Sequence, residues 1–429
     1  MSVVDKKEYK PRIIDEALEK TLIVAGAVCV EGPKWCGKTW TSSFHASSEY
    51  LVGDPDNNFQ NRELASLKPS YVLEGKAPRL IDEWQEVPAL WDATRSIVDK
   101  RGHSGQFILT GSSTPKRKGI MHSGTGRIIS LRMQTMSLYE SGDSSGKVSL
   151  KDICENTFDE IIKTEDISLE KLAFLTIRGG WPGNLNSTEK NAGIIPQSYV
   201  DSVINRDINR LDDDIVYDLQ KVRLLFRSLA RNESTTVSNS TIARDIMEND
   251  GKTVSDVSIS KYLEAFDRMF LLSNQPPFDP NIRSSLRVKQ SEKRHFCDQA
   301  LACAVLSLTP NKLINNLESF GFMFEALVEH DLRIYAESFG GKLFHYQDYK
   351  NNEIDAVIET DDGEWCAIEI KLGANKIEEA AKKLLDVKET IIKNGGRPPK
   401  SLCVICGLSN AAYKREDGVY VVPITSLKN

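Results

Sequence analysis

One stretch decides the fold that we expect for this chain: Gly32-Pro33-Lys34-Trp35-Cys36-Gly37-Lys38-Thr39. It matches the P-loop pattern at every fixed position. The two glycines let the backbone form a cradle whose N–H groups face phosphate oxygens. Lys38 brings a cation to the β- and γ-phosphates of a nucleotide, and the Thr39 hydroxyl is a ligand for Mg²⁺. The stretch therefore predicts a nucleotide-binding loop, with an ordinary glycine turn as the alternative.

The sequence on either side of this loop supports the prediction. Residues 27–30 are apolar and typical of a short buried strand. The residues after Thr39 can form a helix whose N-terminus faces an anion. We predict that ATP and Mg²⁺ are the cofactors. The nucleotide would contact Gly32 through Thr39, and also Trp40.

Leu80-Ile81-Asp82-Glu83 is an apolar strand that ends in two acids, the Walker B form. Asp82 would hold Mg²⁺ through water, and Glu83 would polarise the water that attacks the nucleotide. A strand that ends at a solvated acidic turn is the alternative interpretation. The two motifs together are more specific than either one alone.

Two further residues are candidates for the same site. Ser112 follows the apolar strand 107–110 and can sense the γ-phosphate, because parallel sheets bind ligands at the carboxyl ends of their strands. Arg127 precedes the strand-like residues 128–131 and is a candidate arginine finger. A structural salt bridge is the alternative role for Arg127.

The overall composition is that of a globular protein with two to four domains. The chain has 429 residues, of which 40% are hydrophobic and 27% charged. A net charge of −6 argues against a chain coated in nucleic acid but leaves room for a local basic face. The eight cysteines are typical of reduced thiols, and the longest apolar run, residues 22–30, is too short for a bilayer. We expect a cytoplasmic protein with no membrane partner.

Several motifs together resemble those of a prokaryotic family of AAA-type ATP-binding proteins, in which a P-loop domain is coupled to a nuclease-like C-terminal region. The matching pieces are residues 32–39, Asp82-Glu83-Trp84-Gln85, Leu109-Thr110-Gly111-Ser112, Gly126-Arg127, Gly179-Gly180-Trp181-Pro182 and Asn205-Arg206-Asp207-Ile208. The resemblance extends over nearly the whole chain. It implies ATP binding but no particular cellular role.

The middle of the chain is predicted to be helical. Ser141–Gly146 is rich in serine and glycine and is typical of a linker or mobile loop. Three helical patterns, at 221–231, 240–248 and 257–272, precede a candidate β-wing at 283–296, which predicts a winged helix. Its candidate contacts with DNA or RNA are Ser258, Ser260, Lys261, Tyr262, Arg287, Lys289 and Lys293. Winged helices also mediate protein docking and homo-oligomer formation, so these roles stay open.

The C-terminal region carries a candidate nuclease site. Alternating strands place Asp355 on one and Glu369 and Lys371 on the next. A hairpin can bring them together as in the PD-(D/E)xK nucleases, with Glu325 on a preceding helix. Asp355, Glu369 and Glu325 would bind Mg²⁺, and Lys371 would activate water. An amphipathic hairpin with charged edges is the alternative.

The predicted fold class is α/β, in four parts. These are a P-loop AAA-type ATPase domain (1–140), a linker and helical segment (141–210), a winged-helix-like domain (211–310) and a restriction-endonuclease-like α/β domain (311–429). The first functional hypothesis is an ATPase that acts on nucleic acid, with a metal-dependent nuclease. The second is a nucleotide-gated switch whose C-terminal parts only bind DNA or a protein. A metabolic P-loop kinase is disfavoured, because no small-substrate lid or phosphate-acceptor signature is visible.

Overall fold

Residues 5–115, 120–212, 215–281, 291–348 and 352–429 are described by a computed structural model. The internal contacts divide the chain into two units, each formed from separate stretches of sequence. The first contains Met1–Thr135, Asp207–Val216 and Glu264–Leu271, and the second contains Met136–Arg206, Tyr217–Leu263 and Leu272–Asn429.

Five parallel strands form the sheet of the first unit, in the order β2-β3-β4-β1-β5. The strands are β1 (Ala27–Glu31), β2 (Ser48–Leu51), β3 (Arg79–Asp82), β4 (Phe107–Gly111) and β5 (Ile128–Arg132). The helices before and between them are α1 (Ile14–Val24), α2 (Lys38–His45), α3 (Asp56–Leu67), α4 (Pro69–Val72) and α5 (Ala89–Arg101). This is the parallel α/β domain that the sequence predicted.

Both faces of this sheet are buried, as a parallel sheet requires. Side chains alternate along β1, so that Ala27 and Cys29 join one apolar cluster and Val28 and Val30 join another. Near-continuous apolar strands therefore produce a central sheet covered on both sides. The carboxyl ends of β1, β3 and β4 all lie at one edge, because the strands are parallel and neighbours in register.

The second unit contains a mixed seven-stranded sheet in the order β10-β11-β12-β13-β15-β14-β7. Its strands are β7 (Ile162–Lys163), β10 (Lys342–Gln347), β11 (Glu353–Glu359), β12 (Trp365–Lys371), β13 (Ser401–Cys406), β14 (Ala411–Lys414) and β15 (Tyr420–Pro423). A separate parallel pair joins β6 (Val148–Ser149) to β16 (Leu427–Lys428). The buried thiols of Cys403 and Cys406 belong to β13.

The helices of the second unit fall into three groups along the sequence. The first group is α6 (Leu138–Ser141), α7 (Leu150–Glu155), α8 (Leu169–Arg178) and α9 (Ile194–Ser202). The second is α10 (Leu219–Arg231), α11 (Asn239–Asp250) and α12 (Asp256–Arg268), the last of which continues into a stretch of the first unit. The third is α13 (Gln299–Val305), α14 (Pro310–Ile314), α15 (Leu317–Ser338) and α16 (Ile377–Lys393).

The division into two units differs from the predicted four-part division at residues 141, 211 and 311. Strands β6 and β7 come from the predicted linker region but pair with strands near the end of the chain. Ser141–Gly146 is also held in place, since buried Ser144 donates a hydrogen bond of 2.6 Å to the carbonyl of Leu427. Pairing of distant segments is not visible in local sequence patterns, which explains the difference.

Three helices lie where the winged helix was predicted, and β8 (Thr235–Thr236) pairs antiparallel with β9 (Lys293–Arg294). Much of the predicted β-wing, including Arg287 and Lys289, lies outside the described residues. Within the described ranges, no helix combines the length and the apolar character that crossing a bilayer would need.

Candidate functional site

The P-loop is a tight cradle between β1 and α2. A Cβ atom on Gly32 would lie 2.2 Å from the carbonyl oxygen of Met133, so this position needs glycine. Gly37 has φ of 108° and precedes the first residue of α2. Trp35 also has a positive φ, 64°. The loop therefore combines close backbone approach with left-handed conformations, as a phosphate-binding turn does.

Polar side chains from three chain segments meet at the carboxyl edge of the sheet. The hydroxyl of Thr39 donates a hydrogen bond of 2.9 Å to Asp82 Oδ1, and the hydroxyl of Thr110 donates one of 2.6 Å to the same oxygen. The buried ammonium of Lys38 donates a bond of 2.8 Å to the carbonyl of Pro33. The P-loop lysine and threonine thus lie in one group with the first Walker B acid.

The carboxylate of Glu83 is oriented by two neighbours. The hydroxyl of Ser112 donates a 2.9 Å hydrogen bond to Glu83 Oε2, and the amide of Gln85 donates to the same oxygen. Glu83 has a left-handed backbone (φ 57°), and its N–H donates to Thr110 Oγ1 at 2.9 Å. These contacts bring the predicted Glu83 and Ser112 together. The sequence did not single out the roles of Thr110 and Gln85, although both are polar and lie next to predicted residues.

The donor set of this edge suits a magnesium ion. Burial raises the pKa of Asp82, hydrogen bonding from Thr110 lowers it, and the charge of Glu83 raises it. A nearby cation would stabilise the ionised form of such a carboxylate. Mg²⁺ prefers oxygen ligands, usually one or two from the protein together with substrate phosphates. Thr39 and Asp82 therefore fit the Mg²⁺ of a bound nucleotide.

Arg12 supports the P-loop from outside the motif. Its guanidinium is buried and donates hydrogen bonds of 2.8 Å to the carbonyl of Cys36 and 2.9 Å to that of Gln134. One side chain thus ties the P-loop to the segment after β5. No local pattern around Arg12 indicates this role, because both partners are distant backbone carbonyls.

The remaining P-loop candidates differ in exposure. Trp35 and Trp40 are exposed, so their indole rings are accessible beside the loop. The side chain of Cys36 is fully buried, with its thiol 3.8 Å from the carbonyl of Met133. Cys36 can therefore contact a nucleotide only through its backbone. Lys34 forms an ion pair of 2.8 Å with Asp207.

Arg127 does not join this group of residues. It precedes β5 and therefore lies at the amino end of the parallel sheet, opposite the P-loop edge. Its Nε donates a hydrogen bond of 2.8 Å to Asp99. This contact matches the alternative of a structural salt bridge, and the arginine-finger role stays a prediction.

The candidate residues of the second unit also come together. Lys371 Nζ lies 3.1 Å from Asp355 Oδ2 and 2.9 Å from Glu369 Oε2. The backbone N–H of Ile370 donates a further bond of 2.8 Å to Asp355 Oδ2. Lys383, on α16, lies 2.8 Å from Glu369 Oε1. The predicted triad is therefore assembled on β11 and β12, and its acids are paired with lysines.

A second cluster includes the predicted ligand Glu325. The buried ammonium of Lys293 contacts the carboxylate of Glu325, lies 2.7 Å from Glu329 Oε1 and donates a 3.1 Å bond to the carbonyl of Asp355. Burial raises the pKa of Glu325 to about 7 and that of Glu329 to about 8, even beside this lysine. The sequence placed Lys293 in a nucleic-acid surface. The structure corrects this, because the side chain is buried and bonded to acids.

The candidate metal-binding acids of the second unit are each paired with a lysine in this arrangement. Both oxygens of Glu369 lie within ion-pair distance of lysines, and Glu325 faces Lys293. Over the ranges that the structure describes, no group of three or more His, Cys, Asp or Glu side chains is placed to hold a metal. Lysine ammonium groups supply the positive charge beside these carboxylates.

The predicted contacts of helix α12 with nucleic acid are only partly exposed. Ser260 and Lys261 are accessible, and Ser258 is half-buried. The Tyr262 side chain is buried, and its hydroxyl accepts a 3.0 Å hydrogen bond from the N–H of Asp218. Tyr262 therefore serves the packing of this region, which corrects its assignment as a nucleic-acid contact.

The P-loop, the acidic end of β3 and the polar end of β4 form the arrangement expected of a P-loop nucleotide-binding site. Residues 25–142 match the family model described as AAA domain. Residues 169–312 match a domain of unknown function, DUF8612, and residues 320–427 match another, DUF4143. The chain therefore contains an AAA-type P-loop ATPase domain, which confirms this part of the prediction.

The chain was also compared with curated proteins and with solved structures. No curated protein matches the chain in sequence. Among solved structures, the Walker-type ATPase PABY2304 of Pyrococcus abyssi is similar, with 12% identity and a TM-score of 0.45. The alignment covers 70% of this chain and 97% of that one.

Proposed function

We propose that this chain hydrolyses ATP and couples nucleotide binding and hydrolysis to action on nucleic acid. The observation that carries the ATPase part is the convergence of Thr39, Asp82 and Glu83 at one sheet edge beside the P-loop. Lys38 would bind the β- and γ-phosphates, and Thr39 and Asp82 would hold Mg²⁺, which would neutralise phosphate charge. Glu83 orients and polarises the attacking water.

Ser112 and Gln85 act through Glu83. Both donate to the same oxygen of its carboxylate, so they fix its direction and leave the other oxygen able to accept a proton from water. Ser112 is also available to a γ-phosphate at the end of β4, the role that the sequence suggested.

This proposal is tested by measuring ATP hydrolysis by the parent and by two variants, Lys38→Ala and Glu83→Gln. We expect the parent to release phosphate from ATP with Mg²⁺, and Lys38→Ala to lose nucleotide affinity, turnover or both. Glu83→Gln should bind ATP normally but hydrolyse it about a hundredfold or more slowly, because it loses the water-polarising carboxylate. Unchanged affinity and turnover in Lys38→Ala would exclude the P-loop as the site. Repeating the assay with single- and double-stranded DNA tests the coupling.

The second unit supports the nucleic-acid part of the proposal. The order α15-β10-β11-β12-α16-β13 and the Asp355, Glu369 and Lys371 group are the features expected of a nuclease-like fold. The lysine-paired acids, however, favour a unit that binds nucleic acid or a protein over one that cleaves with a metal. A non-cleaving, nucleotide-gated switch is therefore the form of the proposal that the contacts support best.

A cleavage assay separates the two forms. The parent, Asp355→Ala and Lys371→Ala would be incubated with linear, nicked and single-stranded DNA and with RNA, with Mg²⁺ or Mn²⁺. The exposed Glu389→Ala variant is the matched control. We expect no cleavage by any of them. Cleavage by the parent and control that is lost in both site variants would instead establish the metal-dependent nuclease.

A further inference from the structure

The P-loop contains a second lysine whose charge has an internal partner. Lys34 Nζ lies 2.8 Å from Asp207 Oδ1. The lysine side chain is 42% exposed, whereas the aspartate side chain is only 11% exposed. Because Lys34 is two residues after Gly32, its cation belongs to the loop that faces phosphate. The carboxylate of Asp207 therefore places a negative charge next to a site for anions.

Asp207 occupies an unusual position in the chain. It is the last residue of a π-helical turn, Val203–Asp207, that continues α9 and is followed by a 3₁₀ turn, Ile208–Arg210. π-Helical turns are rare in proteins, and those that occur are often found at functional sites. Asp207 is also the residue at which the chain passes from the second unit into the first.

Glu264–Leu271 is another stretch of the first unit that lies, in sequence, between stretches of the second. It is bonded to the segment after β4. The N–H of Thr114 donates to the carbonyl of Arg268 at 2.8 Å, and Arg268 Nε donates back to the carbonyl of Thr114 at 3.0 Å. Arg268 forms two further bonds, of 2.9 and 2.8 Å, with Asp212. Thr114 lies two residues after Ser112. One stretch thus contacts the P-loop, and the other contacts the segment that follows Ser112.

We propose that Asp207 is a positioning residue that competes with the nucleotide phosphates for Lys34, so that ATP weakens the attachment of residues 207–216 to the P-loop. This inference rests on the proposed ATPase function. A triphosphate carries several negative charges and Asp207 carries one, so the phosphates attract Lys34 more strongly and repel Asp207. The consequence is that the strength of this attachment depends on how many phosphates are bound.

Calorimetric titration of Asp207→Asn with ATP, ADP and adenosine tests the inference. We expect Asp207→Asn to bind ATP about three- to tenfold more tightly than the parent, with a smaller gain for ADP and none for adenosine. High salt should reduce the gain, because it screens exposed charges. In the Lys34→Met background the same substitution should give a clearly smaller gain.

Lys34→Met alone is the second arm, since it removes the cation for which Asp207 and the phosphates compete. It should lose affinity for ATP while keeping that for adenosine. If the parent binds ATP and Asp207→Asn binds it no more tightly, the inference is overturned but the proposed function is not. A parent that binds no ATP would overturn the proposed function together with the inference.

Discussion

The backbone of Gly32 has no room for a side chain, because a Cβ atom would lie 2.2 Å from a backbone oxygen, that of Met133. We expect Gly32→Ala to push the P-loop away from the segment after β5 and to weaken ATP binding at least tenfold. Overpacking of this kind also costs about 1–3 kcal/mol of stability. The matched control is Gly53→Ala, where a Cβ has no atom within 4 Å. Nucleotide titration measures the first effect and thermal unfolding the second. If Gly32→Ala bound ATP as tightly as the parent, the expectation would be wrong.

Arg12 is predicted to be required for the shape of the P-loop. Arg12→Met keeps the apolar stem but leaves the carbonyls of Cys36 and Gln134 without their charged donor. An unsatisfied buried polar group costs about 1–3 kcal/mol. We therefore expect weaker ATP binding and a lower melting temperature. The exposed Lys20→Met, on α1, should change neither. Normal nucleotide affinity in Arg12→Met would show that the loop holds its shape without this clamp.

Lys293 is predicted to take the place of a metal ion among the acids of the second unit. Lys293→Met leaves Glu325 and Glu329 buried without their cation. Breaking a buried pair costs about 3–5 kcal/mol. The loss should be greatest near pH 8 and smaller near pH 6. The reason is that burial raises the pKa of both carboxylates, so they are protonated near pH 6 and ionise as pH rises through their raised pKa values. Only the ionised carboxylates need the Lys293 cation, so removing that cation costs more stability at the higher pH.

Thermal unfolding of Lys293→Met and its parent, with and without Mn²⁺ and in the absence of nucleotide, measures this effect. Mn²⁺ should stabilise the variant but not the parent, because Glu325 and Glu329 keep the Lys293 cation in the parent and lose it in the variant. Tight Mn²⁺ binding by the parent that disappears in Asp355→Ala would show that the lysine does not exclude a metal.

Among single residues, the sequence predicted correctly those whose positions are set by short motifs. Lys38, Thr39, Asp82, Glu83 and Ser112 do lie together, since strand–loop patterns place them at one edge of a parallel sheet. It did not predict partners that are distant in sequence, such as Arg12 for the P-loop carbonyls. It also assigned Arg127 and Lys293 by charge alone, and charge does not indicate whether a side chain is solvated or paired with an acid.

At the scale of elements, the segment 141–146 is a structural connection held by a buried ion pair. Arg178 Nη1 lies 2.7 Å from Asp143 Oδ2, and Lys171 lies 3.2 Å from the other oxygen. Burial raises the pKa of Asp143, but the charges of Arg178 and Lys171 and the hydrogen bonds from Arg178 and Ser141 together outweigh it, and the net pKa is lowered. A lowered carboxylate pKa stabilises the fold above the ordinary value of 3.8, and this contribution is lost as pH falls.

We therefore predict that Asp143→Asn destabilises the second unit by about 3 kcal/mol at pH 7, since it leaves Arg178 buried without its charged partner. The difference from the parent should shrink as pH falls below 4. Thermal unfolding between pH 3 and pH 7 measures it, with the exposed Glu389→Gln as control. A variant as stable as the parent at pH 7 would mean that the segment is held by its backbone contacts alone.

Sequence patterns predicted the strands that carry the candidate sites. Strands β1, β3, β4 and β5 lie within about a residue of their predicted places, and Asp355 and Glu369 lie on neighbouring strands, β11 and β12. The two-residue strands β6 and β7 were not predicted, because segments so short have no periodicity. They exist only through their partners near the end of the chain.

At the scale of the whole molecule, the second unit is built from segments that a cut at residue 311 would separate. We predict that a fragment of residues 311–429 aggregates, because it lacks β6 and β7 and exposes the edge of β14. A fragment of residues 136–429 keeps both pairings and should give native-like circular dichroism. Gel filtration compares the two, and a monomeric, folded 311–429 fragment would contradict the prediction.

The hydrogen bond between Ser144 and Leu427 spans 283 residues, which matters during synthesis of the chain. A ribosome adds about 5–20 residues per second, so the first partner waits for tens of seconds before the second is made. The strands of the ATPase sheet emerge early and can pair without delay. Ser144 and strands β6 and β7 must instead wait for their partners until translation is almost finished. We expect the chain to be most prone to misfolding during that interval, because unpaired strand edges are then exposed.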